Sequence, residues 1–403
     1  MKDKPHVLVI APTPFFSDRG CHVRILEEIR ANQSQGYRFT VCTYHLGKDV
    51  PGLAIHRSLN VPWYRNLSAG PSVHKFYLDA LLLWTVLRVC LKDRPNVIHA
   101  HLHEGVSVGW VASRIFRVPM VGDMQGGLVG ELLQHAFIRP DGVLFKLFRC
   151  AEKFILKMPQ HLALSSEQAI QGVCAIHELS CASTIVADGV DETIFRPAED
   201  KRALREKLSL PLDTCLIAYI GLLNTYQGVN VMLETAKRVR AKGLTAHWLV
   251  MGYPNVDRYQ ELANQLGLAD CVTFTGRLPY DRAPDYLAAC DIGFSAKQDV
   301  TEANGKLLNY MAVGLATVAT DTPVNRSLLG DEAALYGQID DPDSLAHAVQ
   351  KLVEDKVLRV TLGNAARRRV ETQFSWISGG RLLADIYREL IATAVPSVLR
   401  LPR

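Results

Sequence analysis

Lys297, Glu302, Asn304, Lys306 and Asn309 fall within one stretch, 291–321 (DIGFSAKQDVTEANGKLLNYMAVGLATVATD), and this polar set at a helix entry suits an anionic ligand. Ammonium groups can meet anionic oxygens. The framing elements are legible from apolar spacing. Residues 291–296 and 315–320 are short apolar runs suited to buried strands, and 305–313 between them has helical spacing with Gly314 as its stop. Lys306 and Asn309 lie three apart and so share a helix face. An anion is expected there: the helix entry offers N–H groups and positive dipole, Lys306 adds a full charge, and Gly305 lets the backbone approach closely. Each of these residues alone needs to do no more than cap and solvate a crossover. Their weight comes from the rest of the chain.

With 403 residues the chain exceeds one ordinary core, so two domains are expected. A hydrophobic fraction of 48% with 21% charge is that of a soluble globular protein, and a modest net charge of +4 argues for contact with something anionic, such as a phosphorylated small ligand or a lipid phosphate, and does not suggest a nucleic-acid binder. Nine cysteines stand singly, with no C-x-x-C pair, and read as reduced, mostly buried residues of a cytosolic protein. No signal region opens the chain, and no run approaches the ~20 apolar residues of a membrane span.

Strands are expected at 6–11, 37–44, 53–57, 97–101, 119–123, 161–165 and 183–187, and helices at 21–32, within 66–94 and at 144–158. The rhythm restarts with strands at 216–220, 247–251 and 272–275 and helices at 229–241, 259–266 and 283–289. Helices at 341–354, 358–373 and 379–394 close the chain. The turn-rich DGVDETIFRP, 188–197, marks the break, giving domains at 1–190 and 191–375 and a C-terminal helical segment, 376–403, expected to pack back on the first domain.

Strand ends of the first half carry further polar candidates. Gly20 sits at a helix entry, where it could clear space for an acceptor or a phosphate. Asp123 ends a strand and Gln125 lies just past it, at the start of a glycine-rich loop, which implies either close approach of a ligand or a mobile loop. His99 and His101 share a strand face, which His103 joins only if the strand continues that far. Zinc could use such a pair, but with no further ligand identifiable, a polar strand end explains them more simply. The helices within 66–94 and at 144–158 mix aromatic and basic residues. Core packing under a basic rim accounts for them, and peripheral contact with the inner membrane face is the alternative.

The loops GLLNTYQG (221–228), MGYPN (251–255), TGRLPY (275–280) and TEANGKLLNYMA (301–312), with DGVDETIFRP and the closing FSW helix, resemble the retaining glycosyltransferases of family 4. The resemblance covers nearly the whole chain. It implies the GT-B fold, an α/β architecture of two Rossmann-like doubly wound domains facing a central cleft. It also implies metal-independent transfer from a nucleotide-diphosphate sugar to a glycan, lipid-linked or small-molecule acceptor, with no cofactor and no metal. Retention would come from same-face attack, with the departing phosphate oxygen helping to take the acceptor proton.

Carried over by position, Glu302 corresponds to the first glutamate of the family's paired-glutamate motif, and Asn309 replaces the second with one residue fewer between them. The resemblance places Gly221, Gln227, Gly252, Arg277, Lys297, Asn304, Gly305, Leu307 and Asn309 around the donor, Lys306 at its phosphates, and Gly20, His103, Asp123 and Gln125 toward the acceptor. Two departures stand out. The Arg and Lys that the family sets on the diphosphate are Leu222 and Gln227 here, leaving Lys306, Lys297 and Arg326 as candidate replacement charges, and Gln125 stands where many relatives have histidine. The alternative implied is a catalytically weakened GT-B protein serving as a binding or partner subunit.

Overall fold

Continuous apolar runs become the buried strands of two parallel sheets in a computed structural model describing 4–17, 20–65, 72, 74–134, 138–139, 142–165, 167–174, 181–298 and 304–394. Two units divide the chain, one comprising 1–188 with 376–403 and the other 189–375. Each is a Rossmann-like layer structure with helices on both faces of its sheet.

The first unit runs β1 (His6–Ala11), α1 (Gly20–Gln33), β2 (Arg38–Thr43), β3 (Ala54–Arg57), α2 (Lys75–Lys92), β4 (Val97–His101), α3 (Leu102–Phe116), β5 (Met120–Met124), α4 (Leu128–Gln134), α5 (Val143–Ile155), β6 (His161–Leu164), α6 (Glu167–Cys174) and β7 (Ala182–Ile185). Its strands lie in the order β3-β2-β1-β4-β5-β6-β7, all parallel. Alternation sorts each strand by face. Leu8, Ile10, Ile98 and Ala100 form a core with Leu78 and Leu82 of α2 and Val106 of α3. The opposite side chains of β4 include His99 and His101, and that alternation sets a polar pair deep under the helices of the other face.

The second unit runs α7 (Lys201–Lys207), β8 (Cys215–Leu222), α8 (Val229–Ala241), β9 (Ala246–Tyr253), α9 (Val256–Gln265), β10 (Val272–Gly276), α10 (Ala283–Ala288), β11 (Ile292–Ser295), α11 (Lys306–Ala312), β12 (Ala316–Thr320), α12 (Pro323–Leu329), β13 (Ala334–Gly337), α13 (Pro342–Glu354) and α14 (Lys356–Gln373). Its parallel sheet has the order β10-β9-β8-β11-β12-β13. Ile217 and Tyr219 pack toward α8 and α13, while Leu216 and Ala218 pack toward α10, α11 and α14. The final helix, α15 (Trp376–Ala394), belongs to the first unit and packs on α1, where the Tyr37 hydroxyl donates to the Ala384 carbonyl at 3.1 Å.

Differences from the sequence reading have local causes. The strand containing His99 and His101 does not reach His103, because Leu102 takes a left-handed φ of 61° and turns the chain into α3. After β5, Gly126 and Gly127 lie in a short loop that leads into the helix α4, which begins at Leu128. Helix α2 occupies Lys75–Lys92, and 66–71 and 73 of the longer expected segment lie outside the described residues. The nine cysteines are free, but only Cys42, Cys90 and Cys290 are buried, and Cys150 and Cys174 are exposed.

Candidate active site

A parallel sheet offers a crevice where neighbouring strands send their connections to opposite faces, beyond the strands' carboxyl ends. In the second unit that point lies between β8 and β11. The two strands pair only at Ile292–Ile217 and Gly293–Ala218, then part. The Tyr310 hydroxyl fills the split, accepting from the Ile220 N–H at 3.0 Å and donating to the Phe294 carbonyl at 3.1 Å. Four of the candidate donor residues, Gly221, Gln227, Gly252 and Lys306, meet above it.

Lys306, the first residue of α11, extends its ammonium across Gly221. The Nζ atom donates to Gln227 Oε1 at 2.8 Å and lies 4.6 Å from the centre of the Tyr219 ring. A methyl group on Gly221 would sit 3.1 Å from that nitrogen, and the Gly221 φ of 146° already disfavours any side chain. Gly252 is equally constrained, since a Cβ there would lie 2.0 Å from the Gly221 carbonyl oxygen. Gly228 closes the loop with a φ of 77° against the Ala296 carbonyl. The Tyr219 hydroxyl donates to the Leu222 carbonyl at 3.0 Å, and the Gln227 N–H donates to Asn224 Oδ1 at 3.0 Å, so both supports of the lysine are themselves held. A cation lodged over a bare glycine backbone can meet an anion at close range.

The other expected donor residues take varied positions. Asn304 is buried, and its amide donates to Ser295 Oγ at 3.1 Å and Asn325 Oδ1 at 2.9 Å, leaving its Oδ1 without a hydrogen-bond partner among the described residues. Its carbonyl accepts the Leu307 N–H at 2.9 Å. Leu307 itself belongs to the apolar core. Lys297 is buried after β11, and its carbonyl accepts the Thr320 hydroxyl at 2.6 Å. Asn309 is half-buried on the same helix as Lys306, and Gly305 faces open space. Arg277 stacks over the Tyr253 ring at 4.9 Å, at the ends of β10 and β9. Arg326 is already paired: Asp321 holds it through two hydrogen bonds, at 2.5 and 2.8 Å, and Asp331 adds a third contact. Glu302 lies outside the described residues.

In the first unit Asp123 is fully buried at the end of β5. Arg24 of α1 grips it through Nε and Nη2 at 3.2 and 2.8 Å, and reaches Glu28 at 3.0 Å and Asp188 at 2.7 Å. Burial alone would raise the Asp123 pKa, but Arg24 overrides it and holds the carboxyl well below the usual carboxylate range. Burial pushes the Glu28 carboxyl well up, and the carboxylates of Asp123 and Asp188 add to the rise. Burial, reinforced by His101, pushes His99 well down, and its Nδ1 is hydrogen-bonded to the Tyr387 hydroxyl at 2.7 Å. Glu28, His99, His101 and Asp123 could present ligand atoms within 4.8 Å of one another, yet Arg24 already engages the carboxyl groups of two of them. Its guanidinium brings a full positive charge against the Asp123 carboxylate. His103 is buried with Nε2 3.7 Å from Glu152 Oε1. Gln125 is half-buried just past β5, its Nε2 unbonded among the described residues, and Gly20 faces open space at the start of α1.

Family models match in sequence as this geometry suggests. "Glycosyl transferase 4-like domain" matches 19–176 and "Glycosyl transferases group 1" matches 200–369, one in each unit. The chain belongs to the GT4-type GT-B glycosyltransferases. The D-inositol 3-phosphate glycosyltransferase of Corynebacterium jeikeium is 26% identical over 76% of this chain and 75% of its own length. The protein of that description from Acidothermus cellulolyticus is also 26% identical, over 93% of this chain and 86% of its own. Among solved structures, a sucrose-phosphate synthase from Thermosynechococcus elongatus superposes with TM-score 0.81 at 19% identity, covering 96% of this chain and all of its own. Anabaena HepE in complex with UDP-glucose superposes with TM-score 0.75 at 14% identity, covering 95% and 99%. These likenesses show the fold.

Sequence reasoning missed several supports in this glycosyltransferase. Tyr219 and Tyr310 carry no motif that singles them out, although a tyrosine that is fully buried usually finds a partner for its hydroxyl. Arg24 and Glu28, four apart in a helix otherwise facing the sheet, were the signal for a buried ion pair.

Proposed function

We propose that this glycosyltransferase is a retaining enzyme that moves a hexosyl group from a nucleotide-diphosphate sugar to a glycan, lipid-linked or small hydroxyl acceptor, without a resident metal or cofactor. The observation that carries the reading is the Lys306 ammonium, held over bare Gly221 backbone at the β8/β11 switch point by Gln227 and Tyr219. As the bond from the sugar's anomeric carbon to the diphosphate oxygen breaks, negative charge accumulates on the leaving group. A preorganised cation there lowers the barrier, and the acceptor proton passes to the departing oxygen.

Gln227 thus takes a different part from the lysine expected at its position. It contributes no charge and instead orients one. Lys306→Met would remove the charge while leaving the aliphatic stem, and Glu302→Ala tests the carboxylate expected at the sugar hydroxyls.

The test is a panel of sugar nucleotides, beginning with UDP-glucose, followed by thermal shift and slow hydrolysis, with inositol phosphate among the acceptors. Stabilisation and turnover lost in Lys306→Met support the enzyme. Binding to none of the panel sinks the nucleotide-sugar reading. The uncharged Leu222 and Gln227 favour a second reading, a sugar-nucleotide-binding subunit without transfer, and stabilisation without turnover toward any acceptor selects it.

A further inference from the structure

Helices α2, α3 and α5 lie on one face of the first unit's sheet, where inward residues of α2 and α3 fill its core and Ile155 of α5 packs against it. Their outward residues are unlike an ordinary solvated surface. On α2, Phe76, Trp84 and Leu91 follow one stripe and are 77%, 55% and 75% exposed. On α5, Val143, Leu147 and Phe154 form another exposed stripe, spaced four and seven residues apart.

The charges are sorted with equal sharpness. These three helices carry three acids, and none is left free on the outer face: Asp79 accepts from the Tyr44 hydroxyl at 2.6 Å, Glu104 pairs with Lys75 at 2.5 Å, and Glu152 is buried. The exposed charges are cations. Lys146, Arg149 and Lys153 run beside the apolar stripe of α5, Arg88 and Lys92 flank that of α2, and Arg114 lies at the end of α3.

We propose that this three-helix face docks on an anionic lipid bilayer, with the aromatic and aliphatic side chains entering the interfacial region and the basic side chains meeting lipid phosphates. A second copy of the same face would oppose cations to cations, with no acid to answer them. An anionic bilayer satisfies both features at once, apolar area for Phe76, Trp84 and Phe154 and negative charge for the flanking cations. No helix among the described residues is long and apolar enough to cross a membrane, so these helices would lie along the surface.

The docking surface belongs to the first unit and is independent of the donor reading, which is tested by sugar-nucleotide binding. Full-length protein is floated with vesicles of phosphatidylcholine alone and of phosphatidylcholine with phosphatidylglycerol, at low and high salt. The expected result is flotation with the anionic vesicles, weakened by salt. Each basic residue near such a surface strengthens binding about five-fold, so the triple variant Lys146→Gln, Arg149→Gln, Lys153→Gln should partition roughly a hundred-fold more weakly. Leu147→Glu with Phe154→Glu should abolish flotation with unchanged circular dichroism. In the wild type, quenching of Trp84 by brominated lipid gives a readout that needs no α5 variant. Absence of flotation with anionic vesicles at low salt overturns the proposal, as does flotation that neither α5 variant weakens. Self-association dispersed by the same variants, without vesicle binding, overturns it in favour of a protein contact.

Discussion

Replacing Gln227 with leucine should separate orienting Lys306 from charging the site. The side chain is buried, leucine is of similar bulk, and the Gln227 main chain keeps its bond to Asn224. What disappears is the 2.8 Å hydrogen bond from the Lys306 ammonium. A hydrogen bond to a charged group is worth about 1.5–3 kcal/mol. The Tyr219 ring, 4.6 Å from the nitrogen, retains part of the hold. The expected outcome is therefore a fall in kcat/KM of about ten- to a hundred-fold, smaller than the loss from removing the ammonium itself. Gln227→Glu should impair the donor step more than Gln227→Leu, because a carboxylate would pair with Lys306 and repel the diphosphate. Steady-state kinetics with the sugar nucleotide that most stabilises the wild type gives the numbers, and the double variant with Lys306→Met closes a cycle. In that background Gln227→Leu should cost almost nothing further. An unchanged kcat/KM in Gln227→Leu, or full additivity in the cycle, would refute the positioning argument.

Three further perturbations probe the frame. Arg24→Met leaves the buried Asp123 carboxylate uncompensated and should destabilise the protein by about 3–5 kcal/mol in chemical denaturation; a change under ~1 kcal/mol would contradict the ion-pair account. Gly228→Ala drives a Cβ to 2.0 Å from the Ala296 carbonyl at a φ of 77°, so melting should fall by the equivalent of more than ~1 kcal/mol and sugar-nucleotide stabilisation should weaken. Asp79 concerns pH. Burial raises its pKa from 3.8 to about 7, the Tyr44 hydrogen bond works against the rise, and nearby Glu104 adds to it. Across that window the folded chain retains a proton that the unfolded chain has released, so stability from this group falls as pH rises. Asp79→Asn should therefore gain on the wild type by at most about 1.4 kcal/mol per pH unit through the window, read as melting differences at about pH 5 and about pH 8.

The two-sheet architecture was legible because both sheets are parallel and buried, so their strands are nearly continuous apolar runs at regular intervals. The strand, helix and strand around Lys306 were readable for the same reason, with Gly314 taking the positive φ expected of a helix stop. Less was legible where tertiary partners decide. Gln227 read as a lost charge, and only the fold shows its carbonyl oxygen against Lys306, because residues 79 apart in sequence carry no mutual signal. Arg326 read as a spare cation, but neighbouring Asp321 and Asp331 consume its charge. Leu307 sits on the buried side of α11 and contributes packing, a consequence of helix phase that a loop motif does not convey. Asp123, an acceptor-side candidate by position, is locked by Arg24 from another element, and its low pKa follows from that distant partner.

The central proposal is that one ammonium, Lys306, bears most of the charge stabilisation of the leaving diphosphate. Its most direct measurement is single-turnover transfer or hydrolysis of the stabilising sugar nucleotide by wild type and Lys306→Met, with melting temperatures in parallel. Removing a donor aimed at developing negative charge costs about a hundred- to a thousand-fold. A loss of that size with near-unchanged melting is the predicted result, whereas a Lys306→Met enzyme turning over at the wild-type rate would contradict it.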